Sequence, residues 1–164
     1  MSTMLQSVPR SISEIVSGRG EPPMGEVRVQ VLLTNAFDAV RLELGEISED
    51  QVRQCEVDAM VDTGAVATVI PRAVADALGI AIRGQREVSY ADGRVEFVDV
   101  THPIFVEVMG RGTAVDCLVL GEEVLLGQTV LEMTDLYVDC ARCRLVPNPD
   151  HPDHAILKVK GFAR

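Results

Sequence analysis

The chain has no tryptophan, and its two tyrosines and four phenylalanines make aromatics only 4% of 164 residues. That leaves no stacking platform of the kind single-strand nucleic-acid binders use. Basic residues are also short: 15 Lys and Arg face 25 Asp and Glu, for a net charge of −10. A phosphate backbone needs a positive surface, so a nucleic-acid partner is not expected. No apolar run approaches the 18 or so residues of a membrane span, and no membrane partner is expected. The N-terminus lacks a basic segment followed by an apolar one, so no secretory signal is expected and the cytoplasm is the default compartment. Four cysteines, Cys55, Cys117, Cys140 and Cys143, are few for a disulfide scaffold of this length.

What is present is enough apolar chain for a real core: 47% hydrophobic against 24% charged residues, in a length that suits one domain. Residues 1–23 are rich in Ser, Pro and Gly and read as a flexible extension. Leu5, Val8, Ile12, Ile15 and Val16 in that stretch also fit one short amphipathic helix. The domain is then expected over 24–164.

Its most informative stretch runs from Met60 to Pro71, Met-Val-Asp-Thr-Gly-Ala-Val-Ala-Thr-Val-Ile-Pro. A β-prone lead-in (Val57, Ala59, Val61) delivers a carboxylate, Asp62, then Thr63, Gly64 and Ala65, before a second β-prone run from Ala67 to Ile70. An acid at the end of a buried strand is costly unless it is hydrogen-bonded or used. Gly64 permits a sharp turn and a close approach by another chain. By itself Asp-Thr-Gly is equally a common turn tripeptide, so the flanking order decides.

Glu26–Leu33 alternates as a half-buried strand. Asn35–Asp50 fits either a strand with a loop or a short helix. Pro71–Leu78, closed by Gly79, reads as a helix with proline in its first turn. Arg86–Tyr90 and Arg94–Val100 flank the turn Ala91-Asp92-Gly93, a hairpin whose polar tip should project from the body. A second hairpin is expected over Ile104–Met109 and Thr113–Leu120, turning at Gly110-Arg111-Gly112. Val124-Leu125-Leu126-Gly127 precedes a short helix over Gln128–Thr134. Leu136–Asp139 and Arg144–Val146 form a closing hairpin, and the Pro-, Asp- and His-rich tail from Pro147 reads as irregular, with 156–159 docking. Cys55 and Cys117 read as small core residues. Cys140, Cys143, His151 and His154 have a C-x2-C-x7-H-x2-H spacing, shorter than a zinc finger's, and a CxxC turn in a hairpin accounts for the cysteines without metal.

The order of these parts resembles the retroviral-type (retropepsin-like) aspartic proteases, and most closely their bacterial single-domain relatives, over residues 55–146. Three separated motifs carry the resemblance: Asp62-Thr63-Gly64-Ala65, the Tyr90–Arg94 turn, and Leu125-Leu126-Gly127. It implies an all-β protomer with one or two short helices, half of a homodimeric acid-protease barrel, acting on a peptide or protein substrate without metal or organic cofactor. Asp62 would be the catalytic carboxylate, Thr63 would bond across the dimer axis, and Gly64 and Ala65 would lie beside the substrate backbone. Tyr90, Ala91, Asp92 and Gly93 would form a flap over the peptide, and Leu126 and Gly127 would pack behind the active-site loop. The chain departs from viral enzymes where an acid four residues after the catalytic Asp pairs with an arginine after the later glycine: here stand Val66 and Gln128. That departure favours an alternative, a protease-like peptide-binding or dimerisation module with little catalysis.

Overall fold

A computed structural model of the chain describes residues 25–159; the expected extension over 1–23 lies outside them. The chain is mostly strand. β1 (Arg28–Asn35), helix α1 (Ala36–Glu43), a 3-10 turn (Glu49–Gln51) and β2 (Gln54–Val61) come first. They are followed by β3 (Val69–Ile70), α2 (Arg72–Ala77), β4 (Ile82–Ser89), β5 (Val95–Thr101), β6 (Ile104–Val108) and β7 (Arg111–Val115). β8 (Leu118–Val119), β9 (Leu125–Leu126), α3 (Gln128–Thr134), β10 (Leu136–Asp139) and β11 (Arg144–Pro147) complete it. Nine strands make one curled, half-barrel sheet in the order β4-β5-β8-β3-β9-β2-β1-β6-β7, and β10-β11 is a separate hairpin.

Period-two alternation explains which side faces in. In β6, Ile104, Val106 and Val108 are buried while Phe105 and Glu107 are exposed. Leu33, Val57, Ala59 and Leu126 meet them in the same core. Complete burial of a side chain such as Leu33 or Ile104 contributes about 1.5–3 kcal/mol.

The segment 36–53, which the sequence left open between strand and helix, forms α1 and the 3-10 turn. Its buried residue is a charge, Asp38. Arg53 donates from Nε to Asp38 Oδ2 at 2.6 Å and from Nη2 to Oδ1 at 2.8 Å. The same guanidinium holds the Asp38 carboxyl below the usual carboxylate range. Asn35 caps α1 by accepting from the Phe37 amide at 3.0 Å, and it donates to the Leu78 carbonyl at 3.0 Å, tying α1 to the end of α2.

Two turns differ from expectation. Pro71 is the N-cap of α2, one residue before its first turn. The β6–β7 hairpin turns at Met109-Gly110, with φ of 51° and 72°, and Arg111 and Gly112 belong to β7. Two positive-φ residues give a turn whose twist matches the flanking strands. Gly112 is needed for a different reason: a Cβ there would come within 2.7 Å of the Phe105 ring that lies across it. β8 is a separate strand, parallel to β3.

Candidate active site

β9 threads between β2 and β3, the two strands that flank residues 62–68. It runs parallel to β2 (Met60↔Leu125, Val61↔Leu126) and antiparallel to β3 (Val69↔Leu125). The loop is therefore strung over a strand from far along the chain. The Asp62 amide donates to the Leu126 carbonyl at 3.0 Å, and the Ala65 amide returns to the Asp62 carbonyl at 3.3 Å, closing the turn. The Gly64 amide donates to Asp62 Oδ1 at 2.9 Å and fixes the plane of the carboxylate. Oδ2 has no hydrogen-bond partner among the described residues. A Cβ on Gly64 would sit 3.2 Å from that same Oδ1, so any side chain there presses on the acid. Asp62 is half-buried; Thr63, Gly64 and Val66 are exposed.

The helix behind the loop is tied to it directly. The Gln128 amide donates to the Ala65 carbonyl at 2.8 Å. The Thr129 amide and hydroxyl both donate to the Val66 carbonyl, at 3.2 and 2.9 Å. Val66 and Gln128 carry no charge, and the loop is held to the helix through backbone carbonyls and a threonine hydroxyl. The buried Thr68 hydroxyl accepts from the Gly127 amide at 3.2 Å. Gly127 has an ordinary φ of −81°, so its role is space. A Cβ on it would lie 2.5 Å from the Ala67 carbonyl oxygen and 2.9 Å from that of Val66.

Asp62, Thr63, Gly64, Ala65, Leu126 and Gly127 are thus brought together in one small region. Tyr90, Ala91, Asp92 and Gly93 stand apart at the tip of β4–β5, with no hydrogen bond to residues 62–68 among the described residues. There the Tyr90 amide donates to the Arg94 carbonyl at 2.8 Å and the Gly93 amide to the Tyr90 carbonyl at 2.9 Å. Only Gly93 of the three turn residues has positive φ, 84°, which makes a three-residue hairpin loop with a left-handed glycine. Asp92 accepts from the Arg94 amide and guanidinium, which holds its carboxyl below the usual range, and that guanidinium lies 4.7 Å over the Tyr90 ring. β4 has no fully buried residue, while the base of β5 joins the body through β8 and an Arg72–Asp99 ion pair. The hairpin projects.

A sequence model of the family described as "gag-polyprotein putative aspartyl protease" matches residues 48–133, over half of the chain. The chain belongs to this retroviral-type aspartyl protease family. The match spans the Asp62 loop, the projecting hairpin and the Leu126-Gly127 crossing. No curated protein matches the sequence. Among solved structures, a foamy viral protease-reverse transcriptase in complex with an RNA/DNA hybrid is similar at 15% identity with a TM-score of 0.43. That match covers 65% of this chain and only 12% of the viral one.

Two features of this aspartyl protease family member bear on other readings of the sequence. Cys140, Cys143, His151 and His154 do not converge: among the described residues no group of three or more His, Cys, Asp or Glu side chains is placed to hold a metal ion. His151 Nδ1 instead lies 2.6 Å from Asp135 Oδ2. No helix among the described residues is long and apolar enough to cross a membrane.

The sequence also gave no sign of the network that fixes the tail. Asp135, in the left-handed region at the end of α3, accepts from Asn148 Nδ2 at 2.8 Å and the Ile156 amide at 3.2 Å besides His151. Led by the Asn148 hydrogen bond, these donors hold its carboxyl down at about 2. Arg111, buried, donates to the carbonyls of Thr134, Asp135 and His151 at 3.1, 2.7 and 2.7 Å. Residues 148–156 are irregular but pinned. They bring Ile156, Leu157 and Val159 into one wall of a groove of about 780 Å³ whose other walls include Thr63, Leu131, Met133 and Tyr137.

Proposed function

We propose that the chain is an aspartic endopeptidase that works as a homodimer, with the Asp62 carboxylates of two protomers sharing one site. The observation that carries this reading is a single half-buried carboxylate, held by backbone on a tight loop, amid exposed apolar surface. Val66 is 76% exposed, Leu157 54% and Val159 85%, and Tyr137 and Met133 are exposed nearby. Met133, Tyr137, Leu157 and Val159 line one groove with Thr63, and exposed apolar lining of this kind marks an interaction site. A second copy laid on it would pair the two loops and bury Thr63.

The mechanism follows from electrostatics. Two carboxylates brought together cannot both ionise cheaply, so one proton is shared and the titration belongs to the pair. The ionised member takes a proton from a trapped water as that water attacks the peptide carbonyl carbon. The protonated member donates to the carbonyl oxygen, and the resulting intermediate expels the amine with a proton returned to nitrogen. In each loop the Gly64 amide holds Oδ1 and leaves Oδ2 to face the partner and the water. The tip residues 90–93 close over the peptide, excluding water and strengthening every polar contact beneath them.

The alternative of a binding module rested on the missing Val66/Gln128 ion pair. The Gln128 and Thr129 hydrogen bonds hold the Asp62 loop against α3 without that pair, so the loop stays fixed in its absence. Incubation with casein across acid and neutral pH, with and without a pepstatin-type inhibitor, is the test. Inhibitor-sensitive cleavage that disappears in Asp62→Asn supports the enzyme. Tight peptide binding without any cleavage at any pH would establish the module instead.

A further inference from the structure

Cys140 and Cys143 are the first and last residues of the four-residue loop that joins β10 to β11, one step beyond the paired Asp139 and Arg144. Both are exposed and both are free thiols. The loop is closed by the Arg142 amide, which donates to the Asp139 carbonyl at 3.2 Å, and Cys143 sits in the left-handed region with φ of 47°. That backbone turns the Cys143 side chain back across the loop, where its Sγ lies 3.7 Å from the Cys140 carbonyl oxygen. The guanidiniums of Arg142, in the loop, and Arg144, on β11, both reach Asp139 Oδ2 at 3.3 Å and brace the turn. Cys140 Sγ lies back along β10, 4.0 Å from the Val138 carbonyl oxygen, so bonding to Cys143 requires that side chain to swing into the loop. The ends of a four-residue turn lie within about 7 Å, compatible with the Cα separation of about 4.4–6.8 Å that a disulfide requires.

The other two thiols are unlike them. Cys117 is fully buried and pushed up to about 12 by burial, and Cys55, packed against the core, is pushed up to about 11 for the same reason. Thiol–disulfide exchange proceeds through the thiolate and needs access, so burial and the raised pKa disfavour reaction at these two.

We propose that Cys140 and Cys143 form a dithiol–disulfide couple that exchanges with small disulfides such as oxidised glutathione. One Cys thiolate attacks a sulfur of the incoming disulfide, forming a mixed disulfide and expelling one glutathione thiolate. The second Cys thiolate then attacks the protein-bound sulfur, closing the Cys140–Cys143 bond and expelling the other. Two electrons pass from the protein pair to the reagent, and the two thiol protons are released. The couple does not depend on the peptidase reading. It follows directly on the strand whose Tyr137 and Val138 line the groove beside Thr63.

Intact-mass analysis of the reduced full-length protein after exposure to excess oxidised glutathione tests this. The expected product loses two hydrogens, keeps no glutathione, and maps to a Cys140–Cys143 link. Cys143→Ser should stall at the first step and keep one glutathione on Cys140, whereas Cys55→Ala should behave as wild type. Two retained glutathiones, a covalent dimer through these residues, or no reaction would overturn the proposal. So would one zinc ion per chain held by the two thiols.

Discussion

Replacing Gly127 by alanine adds one carbon where the space is already filled. The new Cβ would lie 2.5 Å from the Ala67 carbonyl oxygen, 2.6 Å from its carbon and 2.9 Å from the Val66 carbonyl oxygen. These are backbone atoms of the Asp62 loop, so no side-chain rotation relieves the clash. Reaching ordinary contact takes a displacement of about 1 Å, and a shift of that size in a reacting group costs on the order of 10²-fold in rate. Overpacking of this kind costs about 1–3 kcal/mol of stability. For a chain of this length that lowers Tm by about 2–12 °C. Gly84→Ala is the control, because a Cβ there meets nothing within 4 Å and its φ is ordinary. Peptide hydrolysis and thermal melting of both variants would be compared with wild type. A Gly127→Ala protein that hydrolyses peptide at the wild-type rate would refute the idea that β9 and α3 set the position of the loop. Equal loss in Gly84→Ala would show that any added methyl does the same.

At the hairpin tip, Gly93→Val forces a branched residue to φ of 84° in open space, a cost of about 1–2 kcal/mol. Hydrolysis should fall much further than Tm, because the tip packs against little; parallel loss of both in a rate assay and a melt would make the hairpin a core element. Asp135, held down at about 2 by its donors, stabilises the fold above its unfolded value of about 4 and loses that contribution as pH falls through 2. Asp135→Asn should therefore melt lower at neutral pH and show a flatter Tm profile between about pH 4 and pH 2. An unchanged acid limb would mean the network does not hold the tail.

The sequence exposed the site more readily than its support. Asp62-Thr63-Gly64, the Asp92-Gly93 turn and Leu126-Gly127 follow local rules, in which a carboxylate, a hydroxyl or a glycine has a use definable from a few neighbours. α1 was ambiguous because its buried residue is Asp38, held by Arg53, while Phe37, Val40 and Leu44 at helical spacing face solvent. Periodicity reads apolar faces, and here the inward anchor is a charge. Gly112 passed for a turn residue because its purpose, clearing the Phe105 ring, is a cross-strand contact that spacing cannot reveal. The Arg111, Asp135, Asn148 and His151 network joins residues up to 40 apart by main-chain carbonyls and one carboxylate. Nothing in a string of Asn, Pro, Asp and His distinguishes that from a solvated tail.

The central claim is that two Asp62 carboxylates make one site. Its most direct test is specific peptidase activity measured over a dilution series, for wild type, for Asp62→Asn, and for mixtures of the two. Because each chain carries one such loop, activity per mole should fall on dilution through the dimer dissociation constant. Asp62→Asn removes the charge repulsion at nearly constant shape, so it should dimerise at least as well yet be inactive, and adding it in excess should silence the wild type by forming mixed dimers. Activity per mole that is independent of concentration while sedimentation shows a monomer would contradict the account, as would cleavage by Asp62→Asn alone.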